Sequence, residues 1–395
     1  MPRPSPLIDA VAAPPIPEAR AWTQRYDGRY GPLIDLSQAV PGTPPHPALR
    51  GRMAEMAGSA EGARYGAIQG DAELRAALAD EVAQRYGGDV VAGDVAITAG
   101  CNQAFVSTMI AIAPAGSAVV LPAPWYFNHK MTLDMLGIAT RPLVLDAENG
   151  FVPDPEQIGR LIDGDVRAIV LVTPNNPTGA IYPANVISEI MDIARRRDVW
   201  LIIDETYRDF IDDRTAPHAL FAAPDWRRRL IHLYSFSKSY CIPGHRLGAA
   251  VAGPDIIEAL VKVQDSLQIS APRTAQQPVA WAMTALADWR EDGRRQIAAR
   301  AATFTAAMQA LPDWRIDAIG AYFAYVRHPF ARRDGAEIAR RLASEAGILV
   351  LPGSYFGPGQ DGHLRFAFAN ADPSHIADIP RRLAAWRDSA PAMRT

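Results

Sequence analysis

The chain has 395 residues, of which 49% are hydrophobic and 21% charged, and its formal net charge is −3 at pH 7. This is an ordinary globular composition, long enough for two domains. The small net charge excludes the strongly basic character of proteins that bind nucleic acid or anionic membranes. Two cysteines are too few for a disulfide framework, which favours a reducing cytoplasm as the location.

The N-terminal stretch of about 30 residues contains prolines at positions 2, 4, 6, 14, 15 and 17. Because proline interrupts a continuous helix, this pattern predicts an irregular arm. The stretch lacks the basic and then apolar pattern of a signal peptide, and no uninterrupted apolar run of about 18 residues predicts a transmembrane helix. A second proline-rich segment, 41–47, predicts another irregular connection.

From about residue 70, helical patterns alternate with short apolar runs of the kind found in strands. This alternation predicts an open α/β sheet. The β-branched run 167–172 is typical of a buried parallel strand. The predicted helices are 72–86, one from 102, one near 127–136, and 185–197, and the predicted strands are 95–99, 118–121, 142–145, 167–172, 199–203, 230–234 and 248–252.

After about residue 254 the pattern changes, and long helical segments come before a few strands. The helices are predicted at 256–263, 276–287 and 293–310, and the strands at 322–326, 349–351 and 363–368. This order predicts a second, smaller α+β domain. We therefore predict an N-terminal arm with a small-domain segment over residues 1–45, a large domain over 46–289, and a small domain over 290–395.

Polar residues follow four of the predicted strands directly. In an open α/β sheet, ligands bind outside the carboxyl ends of the strands. Each residue alone is better explained by a helix cap, a turn or a surface lysine. Together they predict one polar site at the rim of the sheet, formed by Gly100, Cys101, Asn102, Asn176, Asp204, Tyr207, Ser235 and Lys238.

Four motifs carry a resemblance to a known family. They are Ser235-Phe236-Ser237-Lys238, Gly244-His245-Arg246-Leu247-Gly248, Asn176-Pro177-Thr178-Gly179 and Asp204-Glu205-Thr206-Tyr207. With them, the chain resembles the fold type I enzymes that depend on pyridoxal phosphate (PLP), and in particular the class I/II aminotransferases similar to aspartate aminotransferase. The resemblance runs from about Leu36 to Ala369. It implies a mostly parallel seven-stranded sheet sandwiched by helices, with a smaller α+β domain.

The resemblance assigns the reacting groups to three strand ends. Lys238 would hold PLP as a Schiff base, and its freed amine would then move a proton. Asp204 would pair with the pyridine nitrogen and favour the protonated ring. Tyr207 and Asn176 would hydrogen-bond the phenolic oxygen of the cofactor. These expectations make Lys238, Asp204 and Tyr207 the predicted catalytic residues; no metal ligand is predicted.

The resemblance also assigns the phosphate and the ring face of PLP. Ser235, Arg246 and the turn Gly100-Cys101-Asn102 would bind the phosphate, the last through amides at the start of a helix. Cys101 is then expected as a small residue rather than a nucleophile. Tyr126 would stack on the pyridine ring, with Trp125 as the alternative. His129 would support Asp204, unless it has a capping or surface role.

Further positions concern the substrate. Arg365 matches the arginine that binds the α-carboxylate; the alternative is an edge-strand arginine facing water. Ala39 replaces a glycine of many relatives and would narrow the pocket near that carboxylate. Tyr322 would add a hydroxyl to the substrate channel, and Arg273 is a candidate reader of a side-chain carboxylate.

The resemblance implies a homodimer with shared active sites, because the tyrosine that matches Tyr65 reaches the phosphate of the neighbouring subunit. The implied activity is ping-pong transfer of an amino group between an L-amino acid and a 2-oxo acid. A PLP-dependent carbon–sulfur β-lyase on the same scaffold is the alternative. A transcription regulator would need a DNA-binding domain before Leu36, where the sequence offers only about 35 proline-rich residues.

Overall fold

The N-terminal stretch is not irregular throughout. The computed structural model describes residues 2–211, 216–330 and 333–389, and its first elements are α1 (Pro6–Asp9) and α2 (Pro15–Trp22). Both helices begin with proline, a position where the missing N–H has no partner inside the helix anyway. The prediction of an irregular arm is therefore wrong here, because proline interrupts a helix only beyond its first turn. The next elements are β1 (Ile34–Asp35) and α3 (Pro47–Gly58).

Seven strands form the central sheet. In chain order they are β2 (Val95–Thr98), β3 (Ala118–Ala123), β4 (Ala139–Val144), β5 (Val166–Val172), β6 (Trp200–Asp204), β7 (Leu230–Ser235) and β8 (Gly248–Ala252). Their spatial order is β2-β8-β7-β6-β5-β3-β4. β8 is antiparallel to β2 and β7, and the other neighbours are parallel. The predicted mostly parallel seven-stranded sheet is confirmed.

Helices cover both faces of this sheet. They are α4 (Ala72–Tyr86), α5 (Cys101–Ile112), α6 (Phe127–Met135), α7 (Pro155–Leu161), α8 (Ala184–Arg197), α9 (Phe236–Ser239), α10 (Pro254–Leu267) and α11 (Gln276–Ala285). Side chains alternate along β6: Leu201 and Ile203 belong to the apolar cluster that contains α4, α8 and α11. Ile202 belongs to the cluster on α5 and α10. The period-2 alternation of a strand therefore gives the sheet two buried faces.

A third apolar cluster lies under a second sheet. The remaining elements are α12 (Ala287–Met308), β9 (Arg315–Gly320), β10 (Phe323–Arg327), α13 (Gly335–Arg341), β11 (Ile348–Leu349), β12 (Leu351–Pro352), β13 (His363–Ala367) and α14 (Pro373–Ser389). The antiparallel order is β12-β13-β10-β9, and β1 pairs with β11. The N-terminal segment thus joins the C-terminal part, in line with the predicted small-domain segment; the predicted domain boundaries stay a prediction.

Across the described ranges, no helix combines the length and apolarity needed to cross a membrane.

Candidate functional site

A cavity of about 230 Å³ opens at the carboxyl ends of β5, β6 and β7, beside the first turn of α5. Parallel pairing brings these three strand ends to one edge of the sheet. Most of the predicted polar site lies here, together with several residues that were not predicted. The lining consists of Cys101, Asn102, Tyr126, Val172, Asn176, Asp204, Thr206, Tyr207, Ser235, Ser237, Lys238, Pro243 and Arg246.

Asp204, the last residue of β6, is a buried carboxylate with fixed partners. Its Oδ1 accepts hydrogen bonds from the backbone N–H of Thr206 at 3.0 Å and from the Thr206 hydroxyl at 2.7 Å. Its Oδ2 lies 3.3 Å from Nε2 of His129 and 3.6 Å from Sγ of Cys101. Burial raises the pKa of Asp204, but the contacts from His129 and Thr206 outweigh it and keep this pKa below its usual value.

His129 is only 2% exposed and stacks on Phe105, with ring centroids 3.9 Å apart. The surface role that the sequence left open for His129 is therefore excluded, and its contact with Asp204 agrees with the supporting role. Burial and the neighbouring Asp204 raise the pKa of the Cys101 thiol. A protonated thiol is a poor nucleophile, in line with the expectation that Cys101 is simply a small residue.

Lys238 lies in α9, the four-residue helix that follows β7 directly. Its Nζ donates a short hydrogen bond to the backbone carbonyl of Ala39. Burial, together with the positive charges of Arg246 and Arg365, lowers the pKa of Lys238 to about 8. About a tenth of this amine is therefore neutral and nucleophilic at pH 7, a far larger fraction than for an ordinary lysine.

Arg246 adopts a left-handed backbone conformation, with φ of 50°, and lies against the turn before α5. A Cβ on Gly100 would lie 2.2 Å from its Nη2, so any other residue at this position would force the guanidinium to move. Gly100 also has φ of 87°, which glycine adopts without strain. The Ser235 hydroxyl caps α9 by accepting from the N–H of Ser237. The cavity therefore places one guanidinium and one hydroxyl near the starts of α5 and α9.

Aromatic rings form part of the cavity wall. Tyr126 lines the cavity, and its hydroxyl donates to Oδ1 of Asn102 over 3.4 Å. Trp125 is absent from that lining and lies close to Gly357. This geometry favours Tyr126 over Trp125 as the ring beside a bound group. Burial raises the pKa of Tyr207, so its hydroxyl stays protonated.

Arg365 is 2% exposed and lies within β13, which pairs with strands on both sides. The alternative of an edge-strand arginine facing water is therefore excluded. Its Nη1 donates to Oδ1 of Asn176 at 2.9 Å, and its Nη2 donates to the backbone carbonyl of Ser37. Burial lowers the pKa of Arg365 to about 10, so it remains a cation at neutral pH. Its buried Nε has no hydrogen-bond partner among the described residues.

The donor set of the cavity fits PLP. Lys238 and Arg246 are cations in the lining, whereas Asp204 is its one carboxylate among the described residues. Such an excess of positive charge suits an anionic phosphate. A low-pKa lysine suits covalent attachment to a carbonyl, and an ionised aspartate suits a protonated ring nitrogen. Because Gly100 has no Cβ, the Arg246 guanidinium can lie directly against the turn before α5, which is a further feature of an anion-binding site.

Several predicted positions, among them Gly100 and Arg365, are absent from the cavity lining. Tyr65 is 76% exposed on the surface. Arg273 pairs with Glu61 at 2.9 Å. The prediction that Tyr322 adds a hydroxyl to the substrate channel is not supported, because its ring is buried against Tyr207, with centroids 5.3 Å apart, and is absent from the lining. The carbonyl of Ala39 contacts Lys238, whereas its methyl group is not part of the lining.

Two polar residues of the lining were not predicted from the sequence. Thr206 makes two hydrogen bonds to Asp204, and Ser237 lies beside Lys238 in the first turn of α9. Both belong to motifs that were recognised, but only their neighbours received roles. A signal existed for Thr206, since a threonine two residues after an aspartate commonly donates to that carboxylate in a turn.

Comparison with known proteins agrees with this geometry. Residues 32–383 match the family described as aminotransferase class I and II. The chain is 28% identical to the aromatic aminotransferase ISS1 of Arabidopsis thaliana, over 82% of this chain and 80% of that protein. It is also 28% identical to the aspartate/prephenate aminotransferase of Thermus thermophilus, over 86% and 87% of the two chains. These matches give no support to the carbon–sulfur lyase alternative.

Solved structures show the same fold. A single mutant of Thermus thermophilus aspartate aminotransferase superposes with a TM-score of 0.89 at 25% identity, over 98% of this chain and 100% of that one. The family match covers most of the chain, and the cavity holds the groups that the cofactor of this family needs. The chain belongs to the class I and II aminotransferases, the fold type I enzymes that depend on pyridoxal phosphate.

Proposed function

We propose that this aminotransferase moves an amino group between an L-amino acid and a 2-oxo acid in two half-reactions, with Lys238 as the attachment point of PLP. The observation that carries this proposal is a lysine with a pKa of about 8 in the same cavity as an ionised, buried Asp204. When bound, PLP supplies an electrophilic carbonyl and a ring that withdraws electrons from the substrate Cα.

Two groups would orient the ring of PLP from β6 and α6. Asp204 would hold the pyridine nitrogen, and the contacts of His129 and Thr206 keep its carboxylate ionised and in place. Tyr126 would cover one ring face from the cavity wall. Tyr207 and Asn176 would hydrogen-bond the phenolic oxygen, since both line the same cavity.

The phosphate would lie where the turn before α5 meets Arg246. The first amides of a helix have no partner within it, and the helix dipole favours an anion there. The backbone N–H groups of Cys101 and Asn102, with the Asn102 side chain, would therefore join Arg246 and the Ser235 hydroxyl. The N–H of Gly100, which was also predicted to bind the phosphate, instead donates to the carbonyl of Thr98 at 2.8 Å. Lys238 follows Ser235 by three residues, so one strand end would anchor both the phosphate and the reacting carbon.

Lys238 would also carry the proton that amino transfer requires. A neutral Nζ can accept a proton from the substrate Cα. Burial and the charges of Arg246 and Arg365 keep this amine neutral more often than an exposed lysine. The carbonyl of Ala39 gives Nζ a hydrogen-bond acceptor at the cavity edge. Arg365 would bind the α-carboxylate of the substrate through its planar guanidinium.

We also propose a homodimer in which Tyr65 reaches the phosphate site of the partner chain. Tyr65 belongs to a segment that packs on the loop after α10, where the N–H of Gly66 donates to the Ser270 hydroxyl at 3.3 Å. The same region exposes Leu267 by 53% and Ile269 by 37%. Large apolar side chains grouped on a surface are typical of an interface.

Two free cysteines suit a reducing cytoplasm, which we propose as the location of the protein.

The activity is tested by mixing the PLP-loaded enzyme with a panel of L-amino acids and following the visible absorbance of the bound cofactor. We expect at least one donor to convert it to the pyridoxamine spectrum and to release its 2-oxo acid. Lys238→Ala should lose both the absorbance and turnover, because no amine remains to attach PLP. Release of pyruvate and sulfide from cysteine conjugates, without that spectrum, would contradict the proposal.

The pH dependence of PLP capture should report the pKa of Lys238. Only the neutral amine attacks a carbonyl, so the rate of covalent capture should rise with pH and pass its midpoint near pH 8. An ordinary lysine would place the midpoint above pH 10. Stopped-flow absorbance measures this rate, and Lys238→Arg is the control that should show no covalent capture at any pH.

Arg365→Leu should raise KM for amino acids by about 100-fold while PLP stays bound, since losing one partner of a buried charge pair costs roughly 3 kcal/mol. Steady-state kinetics and the visible spectrum measure the two effects separately. Arg382→Leu is the matched control, because Arg382 is equally buried but pairs with Asp378 outside the cavity. PLP release with an unchanged KM would show that Arg365 does not bind the carboxylate.

The shared-site dimer is tested by mixing two defective chains. In a hybrid of Lys238→Ala and Tyr65→Ala chains, one site has an intact Lys238 and receives Tyr65 from the other chain. We expect the mixture to regain turnover at low PLP concentration, where each variant alone is impaired. Sedimentation velocity should give the mass of two chains; a monomer at the assay concentration would contradict this proposal.

A further inference from the structure

We propose that Asp209 is a positioning residue that fixes the turn carrying Lys238, through the two hydroxyls that flank this turn. The inference rests on the proposed role of Lys238. Asp209 lies in the short helical turn after Tyr207, its side chain is 10% exposed, and it is not part of the cavity lining.

The contact geometry is a closed triangle of three side chains. Oδ2 of Asp209 accepts a hydrogen bond from the Tyr234 hydroxyl at 2.6 Å and a short one from the Ser239 hydroxyl. The two hydroxyl oxygens are themselves 3.2 Å apart. Tyr234 immediately precedes Ser235, and Ser239 immediately follows Lys238. One carboxylate oxygen therefore holds both ends of the turn from Ser235 to Lys238.

The charge state of Asp209 suits this task. Burial raises its pKa, but the positive charges of Arg208, Arg290 and Arg85 outweigh burial and keep the pKa below its usual value. An ionised carboxylate only accepts hydrogen bonds, so both flanking hydroxyls must donate to it. Hydrogen bonds to a buried charge are stronger and more directional than those between neutral groups.

Two arginines contact the tyrosines on either side of the turn, Tyr234 and Tyr240. The Arg208 guanidinium is fully buried, lies 4.1 Å from the centre of the Tyr234 ring, and donates to Glu81 at 2.6 Å. Arg290 donates to Glu81 at 2.9 Å and to the Tyr240 hydroxyl at 2.7 Å. Next to α9, therefore, side chains from three parts of the chain contact one another: α4, the segment after β6, and α12.

The contacts of Asp209 affect the positions of both proposed reacting groups, Asp204 and Lys238. Asp209 follows Asp204 by five residues, and the N–H of Phe210 bonds the carbonyl of Tyr207 at 3.0 Å. The same carboxylate therefore ties the segment that carries Asp204 to the segment that carries Lys238. Since α9 is a single turn, its own backbone hydrogen bonds are too few to fix it. A displacement of about 1 Å in a reacting group can cost about 100-fold in rate.

The test is Asp209→Asn in the PLP-loaded enzyme, with the best donor from the amino-acid panel. The amide keeps the shape but turns one acceptor into a donor. We expect the single-turnover rate of the amino-acid half-reaction to fall by about 10- to 100-fold, with KM changed by less than about threefold. The pH midpoint of the visible cofactor absorbance should shift as well, because the surroundings of Lys238 change; lost stability alone would not move it.

Asp317→Asn is the matched control. Asp317 is another carboxylate with a buried side chain, and it accepts hydrogen bonds from Arg327 and His363 at 2.8 Å each, away from the turn. It should lose stability and keep the half-reaction rate and the pH midpoint of the wild-type enzyme.

The double variant Tyr234→Phe/Ser239→Ala removes the same hydrogen bonds from the other side. It should reproduce most of the Asp209→Asn defect, and adding Asp209→Asn to it should change the rate little. If Asp209→Asn does not fold, this double variant decides. A folded, PLP-loaded variant of either kind with the wild-type rate and pH midpoint would overturn the role of Asp209. Failure of the proposed function would appear separately, as wild-type enzyme without amino transfer.

Discussion

Parallel pairing of β5, β6 and β7 is the constraint on which the site depends. It places Asn176, Asp204 and Lys238, which are distant in sequence, at one edge of the sheet. The strands can run parallel because long connections cross over between them, through α8 between β5 and β6 and through a segment with short helical turns between β6 and β7. Helices elsewhere in the chain bury both faces of the sheet. The core that stabilises the fold thus also determines where the polar groups can meet.

Charge balance gives this edge its chemistry. Burial, with the charges of Arg246 and Arg365, lowers the pKa of Lys238, while His129 and Thr206 hold Asp204 in its ionised form. The pKa values of the two proposed reacting groups are therefore both lowered. A lowered pKa suits Lys238 as an amine nucleophile and Asp204 as the ionised partner of a ring nitrogen. Asp209 and the arginines around it add a second charged layer behind α9, which acts on the position of Lys238 rather than on the substrate.

Much of the fold could be predicted because strand and helix periodicities are local. The residues 72–86 and 248–252 were predicted with the observed bounds, and the remaining central strands within about three residues. The N-terminal arm was wrong because a proline in the first turn starts a helix as readily as it interrupts one. The strand Arg315–Gly320 was missed because its residues are at most half-buried and show no clear alternation. The helix Pro373–Ser389 was missed although its buried apolar residues recur at helical spacing, because Pro380 within it argues against a helix.

The site was predictable where motifs mark strand ends, and less so where contacts join distant segments. Arg365 was recognised by resemblance, but its contacts with Asn176 and Ser37 need the folded chain. Asp209 gave no sequence signal, because its hydroxyl partners lie 25 and 30 residues away.

The parts of the site are also made at different times during synthesis on a ribosome. Every strand of the seven-stranded sheet has been made once residue 252 is added, and with it each residue of the cavity lining. Arg365 and the strand that carries it come more than 100 residues later, and β1 has no partner until Ile348 and Leu349 are made. A nascent chain can therefore contain every residue of the cavity lining well before it contains Arg365, the residue proposed to bind the substrate carboxylate.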